Sequence, residues 1–246
     1  MEAQAWPRAP EELEALQRRL GGERPAPWIA TGAERVGGAF VAFSTRRGRG
    51  AEAAERAWAV AVVLGKGGAV EDRSVVASEV EAGYRAGFLA LREGALLERA
   101  IRALERPPDV LLVNASGRDH PRRAGLALHL GAILGVPTVG VTDRPLVATG
   151  GEPEAQVGSS EALLLDGEVV GFRVRTRSGS RPVCVHAAWR TEPETARAVV
   201  LAAATGARTP EPIRLARFLA RSVRARDEGR SPPGREAGER ADLLSR

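Results

Sequence analysis

Val110-Leu111-Leu112-Val113-Asn114-Ala115-Ser116-Gly117-Arg118-Asp119-His120-Pro121-Arg122-Arg123 couples four apolar residues to a polar string rich in turn formers. The apolar run follows the Pro107-Pro108 turn, and a short run of this kind bounded by turn signals predicts a buried strand. In open α/β sheets, groups at the carboxyl ends of strands converge on the crevice that holds ligands. Asn114 therefore points into such a crevice. The chain continues through Gly125-Leu126-Ala127-Leu128-His129-Leu130-Gly131, which has helical apolar spacing, to Val136-Pro137-Thr138-Val139-Gly140-Val141, which predicts a second strand. Strand, helix and strand alternate here.

Working outward, residues 36–43 and 57–64 predict strands joined by a Gly- and Arg-rich turn at 44–50, with a third strand near 74–80, an antiparallel meander. Residues 87–105 repeat Leu89, Leu96, Leu97, Ile101 and Leu104 on one helical face and carry Glu93 near the start. Residues 10–20 predict an N-terminal helix with Glu11, Glu12 and Glu14 early and Arg18 and Arg19 late, as the helix dipole favours, and Gly21-Gly22 stops it. Downstream, 163–165, 169–175 and 182–185 predict strands, and 192–204 a helix opened by Thr191. The fold class is α/β, a mixed central sheet flanked by helices. Residues 1–224 form one domain, and 225–246, polar and proline-bearing, are expected to be a disordered tail.

The 246 residues are 43% hydrophobic, enough for a sizeable single core. No apolar stretch reaches the roughly 18 residues of a membrane span, and the N-terminus lacks the order of a signal peptide. No membrane association and a cytoplasmic location are expected. The single cysteine, Cys184, forms no internal disulfide; with His186 it shares one face of a strand, a half-buried strand end rather than a nucleophile. The net charge of +5 is compatible with a polyanionic partner. Arg118, Arg122 and Arg123 flank the crevice string, Arg46, Arg47 and Arg49 lie in a turn, and Arg173, Arg175 and Arg177 alternate, so one face could track a phosphate backbone, of DNA or RNA.

Three segments carry a resemblance. The 110–141 stretch, the upstream Gly83-Tyr84-Arg85-Ala86-Gly87-Phe88-Leu89-Ala90-Leu91-Arg92-Glu93 and the downstream Pro210-Glu211-Pro212-Ile213-Arg214-Leu215-Ala216 occur in the order seen in endonuclease V, which the chain resembles over about residues 10 to 222. The resemblance implies a ribonuclease H-like fold, a magnesium-dependent hydrolytic site built from carboxylates, a lysine and a histidine, and recognition of deaminated bases such as inosine. Of those positions Glu93 is kept. The first acid falls on Phe40, the third on Asn114, the lysine on Asp143 and the late histidine on Trp189. A benzyl ring cannot coordinate magnesium, Asn offers one neutral oxygen, and a hard cation that dehydrates reluctantly needs charged oxygen ligands.

By the same resemblance, Tyr84 takes the place of the wedge that separates the target base, while its flanking prolines are replaced by Gly83 and Ala86. Gly87, Leu89, Ala115, Ser116 and Gly117, with Gly125, Leu126 and Leu146, correspond to the pocket for a flipped base, with Arg122 beside it. His120 is kept, either as a catalytic residue or as the cap of a turn.

Three functions remain open. The first is a nucleic-acid-binding protein with a degenerate metal site, little or no cleavage, no metal and no cofactor. The second is a nuclease whose magnesium site is rebuilt around Glu93 and Asp143 with Asn114. The third is a fold redirected to a polar small molecule or a protein partner through Ser116, Asp119, Asp143 and Cys184. The oligomeric state is not encoded legibly.

Overall fold

The computed structural model describes residues 6–32, 34–45, 55–80, 83 and 85–232. Within them, helix α1 (Pro10–Gly22) precedes strands β1 (Val36–Phe43), β2 (Glu55–Leu64) and β3 (Val70–Val80). A single π-helical turn, Ala90–Gly94, runs into α2 (Ala95–Arg102), followed by β4 (Val110–Val113), α3 (Leu126–Leu134), β5 (Thr138–Thr142), β6 (Ser160–Leu165), β7 (Glu168–Val174), β8 (Val183–Ala187), α4 (Pro193–Ala202) and α5 (Glu211–Asp227).

All eight strands form one sheet in the order β3-β2-β1-β4-β5-β8-β7-β6. Its centre is parallel, β1 against β4 and β4 against β5, and both wings are antiparallel. Helices cover both faces, which explains why β4 is apolar at every position instead of alternating. Leu111 and Val113 face one layer with Leu97 and Ile101 of α2, Leu13 and Leu16 of α1 and Leu128 of α3. Val110 and Leu112 face the other with Val200 of α4 and Ile213 of α5. The period-2 rule of a strand thus distributes one tetrapeptide between two cores.

Close backbone approach is fixed by glycine at two places. A Cβ on Gly38 would lie 2.2 Å from the carbonyl carbon of Pro212, so β1 admits the start of α5 only there because glycine has no side chain. A Cβ on Gly140 would lie 2.5 Å from the carbonyl oxygen of Ala115, which lets the turn after β4 cross over β5.

Several elements differ from the sequence reading. The helix expected from 87 to 105 spans only Ala90–Arg102 and opens with the π turn. Thr191 does not cap α4: its hydroxyl donates to the Thr138 carbonyl and accepts from the Ala188 N–H, a tertiary tie, while Glu192 occupies the cap position with Pro193 in the first turn. The third strand begins at Val70, four residues early. Helix α5 continues past 224 to Asp227, because Asp227 accepts from the indole of Trp58 and Glu228 accepts from Ser44 and Thr45. Of the expected tail, residues from 233 onward lie outside the described residues, as do Arg46, Arg47, Arg49 and Tyr84. Among the described residues no helix is long and apolar enough to cross a membrane.

Candidate functional site

The carboxyl ends of β4 and β5 open into a cleft of about 400 Å³. Gly87, Leu89 and Glu93 form one wall, Asn114, Ala115 and Ser116 the floor, and Leu126 and Leu146 the far side, with His120 behind. The expected pocket residues are brought together except four. Gly117 and Gly125 lie beneath the lining, Gly117 where a Cβ would strike the Ala187 carbonyl oxygen at 2.2 Å and Gly125 where one would strike the Ser116 carbonyl oxygen at 2.3 Å. They shape the turn without touching the space. Arg122 also stands behind the wall, and Tyr84 lies outside the described residues.

A second cavity, of about 110 Å³, adjoins the first, and Glu93 and Asn114 line both. Its remaining walls are Ala39, Phe40, Val41, Phe43, Leu97 and Val113. Apolar walls on this side desolvate the Glu93 carboxyl and push its pKa up to about 7, with Arg92 opposing weakly. The π turn that carries Glu93 adds one residue to the helical repeat, a local irregularity often found at functional sites.

The histidine and arginines of the crevice string act as scaffold. His120 is buried; its Nε2 donates to the Gly87 carbonyl at 3.2 Å, while Nδ1 accepts from the Arg122 N–H at 3.1 Å. Arg122 and Gln17 donate to that same carbonyl, at 3.1 Å and 3.3 Å, and Arg122 Nε donates to Gln17 at 2.7 Å. The left-handed Gly87 backbone is thereby tied to α1. Burial lowers the His120 pKa to about 4, so it is neutral. Arg118 donates to the carbonyls of Gly21 and Glu23, and Arg123 pairs with Asp166 and Glu168. Arg173 pairs with Glu152, and Arg175 donates to the carbonyls of Pro153, Glu154 and Ser180. These arginines staple loops of their own chain. Among the described residues, the cations that line the cleft are Arg85 and Arg144.

Asp143 does not join Glu93. Its side chain is 79% exposed, pairs with Arg208 and lines neither cavity, and the hydrogen bond from Arg208 lowers its pKa. Trp189 packs against the core beside α3, where its Cβ would meet one built on Gly131 at 2.5 Å, and it too is absent from the lining. Among the described residues no three His, Cys, Asp or Glu side chains are grouped to hold a metal. Cys184 is buried and its thiol is pushed up to about 11, so it is not a reactive thiolate. Asp119 is fully buried and accepts from the N–H groups of Leu146, Val147 and Ala148, so it offers nothing directly to the cleft. Sequence reasoning passed over Gln17, Thr142 and Arg144 as lining residues. For Thr142 the signal was its place at the end of a predicted strand.

An eight-stranded sheet with a parallel centre, helices on both faces and a cleft at the strand ends is the ribonuclease H-like architecture. A family model described as Endonuclease V matches residues 23–218. Endonuclease V of Methanopyrus kandleri is 44% identical over 162 residues, 66% of this chain and 70% of its own. The crystal structure of the endonuclease V from Streptomyces avermitilis is 36% identical and aligns with a TM-score of 0.80, over 92% of this chain and 96% of that one. The fold is also shared, at 22% identity and a TM-score of 0.71 over 87% of this chain and 96% of the other, with a Ciona intestinalis endonuclease V in complex with a DNA containing an inosine followed by a ribo-adenosine. The chain belongs to the endonuclease V family.

Proposed function

We propose that this chain binds nucleic acid in the cleft and carries out little or no metal-dependent cleavage of the family type. The observation that carries the reading is the donor set: among the described residues lining the two cavities, Glu93 is the single carboxylate, and its neighbours are the Phe40 ring and the Asn114 amide. Magnesium needs several hard oxygen ligands, and one desolvated carboxyl with a pKa near 7 attracts it poorly. The residues present do not fit the ion. What supports binding is the cleft itself. Its volume is in the range of ligand sites, its apolar walls at Leu89, Leu126 and Leu146 suit a base taken out of its stack, and Asn114 and Ser116 offer polar groups. Arg85 and Arg144 supply phosphate contacts, and the related Ciona protein holds DNA on the same fold.

The test is a gel shift and a cleavage assay on single- and double-stranded oligonucleotides, with and without one inosine, in EDTA, magnesium or manganese. Binding in EDTA that weakens with salt, and no cleavage that depends on either metal, is expected. Metal-dependent nicking beside inosine overturns the reading.

A further inference from the structure

Behind the cleft a line of three polar side chains runs outward from the core. Asp119 is fully buried and held by three backbone N–H groups at 2.7 to 2.9 Å. Its Oδ2 lies 3.5 Å from Nδ1 of His186, which is also fully buried. On the other side of the ring, His186 Nε2 lies 2.7 Å from Thr142 Oγ1, and Thr142 lines the cleft with Glu93, Asn114 and Ser116. The Asp119 carboxylate next to Nδ1 favours the tautomer with its proton there, which turns the Nε2 lone pair toward the threonine hydroxyl. That hydroxyl has a second acceptor, the Arg144 carbonyl at 2.7 Å, between which and Nε2 its one proton chooses. Anchoring the 146–148 backbone accounts for the acid. It requires no imidazole between that acid and the hydroxyl of a residue that lines the cleft.

We propose that Asp119, His186 and Thr142 form an acid–base relay that makes Thr142 Oγ1 a nucleophile toward the phosphorus of a phosphodiester held in the cleft. The arrangement is that of an activated hydroxyl: a nucleophile, a base within hydrogen-bond reach of it, and a carboxylate 3.5 Å from the other ring nitrogen, which acts on the ring by its charge and not through a hydrogen bond. Burial holds His186 neutral, with its pKa lowered to about 4, and the Asp119 carboxylate acts against that lowering by stabilising the protonated ring. In the step, the Oγ1–P bond forms and the bond from phosphorus to one ester oxygen breaks. The threonine proton passes to Nε2 and then to the departing oxygen. A threonyl phosphodiester and a free hydroxyl result, and no oxidant, reductant or further reactant is required. Water attacking phosphorus through the same base releases the threonine. The choice of a phosphodiester rests on the nucleic-acid reading and on Arg85 and Arg144 in the lining.

Bis(4-nitrophenyl) phosphate tests the relay without requiring oligonucleotide affinity. The full chain in EDTA is expected to release a burst of one 4-nitrophenolate per molecule and to gain a 4-nitrophenyl phosphoryl group on the peptide containing Thr142, read by mass spectrometry. Thr142→Ser keeps the adduct, Thr142→Val abolishes it, and His186→Gln slows the burst by about a hundredfold or more. Melting curves of the Ser and Val variants check that both are folded. No adduct on the folded wild-type protein, or an adduct that persists in Thr142→Val, overturns the relay. The oligonucleotide gel shift separates the two readings: a shift without an adduct removes the relay alone, and an adduct without a shift removes nucleic acid as its substrate.

Discussion

His120, His129 and His186 are all buried and all lowered to about 4 by desolvation, whereas Glu93 is raised to about 7 by the same cause. Between pH 6.5 and 4.5 the unfolded chain holds protons on the three imidazoles that the folded chain lacks, and the folded chain holds one on Glu93 that the unfolded chain has lost. Unfolding therefore takes up protons on balance, and stability rises with pH across this window, by on the order of 2 to 3 kcal/mol per unit at most. Urea titrations at a series of pH values should show this slope, and Glu93→Gln should steepen it by removing the opposing group. A second residue-scale prediction concerns Phe40 and Asn114. The double substitution Phe40→Asp, Asn114→Asp is expected to create manganese binding, measurable by calorimetry, where the wild-type chain shows little. Asp119→Ala leaves three backbone N–H groups without their acceptor and is expected to destabilise by about 3 kcal/mol in urea titration. At this scale the sequence was readable where a residue's chemistry acts alone, as with Asn114 at a strand end. It was opaque where burial or a distant partner decides. Nothing near Asp143 in the chain announces Arg208, and nothing near Asp119 announces His186, 67 positions on.

The elements were legible to the extent that their periodicity is local. Strands β1, β2 and β4 could be placed from apolar runs and turns, and α1 from its charges and its glycines. The π turn at Ala90–Gly94 was not, because one inserted residue leaves the apolar spacing of a helix almost unchanged while turning Glu93 toward the cavity wall. Neither was the cap of α4, where a threonine in the right place spends its hydroxyl on β5 instead. Gly38 had no visible purpose in a strand until α5 was seen against it. Gly38→Ala would force a methyl group into the Pro212 carbonyl and is expected to lower stability by about 3 kcal/mol or more, visible as a fall in Tm with α5 displaced.

Across the whole molecule, a positive balance of five charges overstates what is available to a polyanion. Arg118, Arg122, Arg123, Arg173 and Arg175 are committed to carbonyls and carboxylates of their own chain. With Arg85 and Arg144 as the cleft cations, single-stranded binding should show a shallow salt dependence, a slope of log K against log salt of roughly −1 to −2, rather than the steep one the composition invites. Fluorescence anisotropy over a salt series measures it directly. Overall architecture, by contrast, could be anticipated from strand–helix alternation and from the family resemblance together.

The docking of α5 on β1 and β2 has a consequence for how the protein is made. Ala42, Val60, Val62 and Leu64 are covered by Leu215, Phe218 and Leu219, which are synthesised about 150 residues later. While the chain grows on a ribosome, those strands emerge early with one greasy flank open to the cell, and it stays open until the segment 211–227 has emerged. Completion of this side of the fold must wait until residues 211–227 have been synthesised, and during that interval the nascent chain is most exposed to misassociation and in most need of a chaperone.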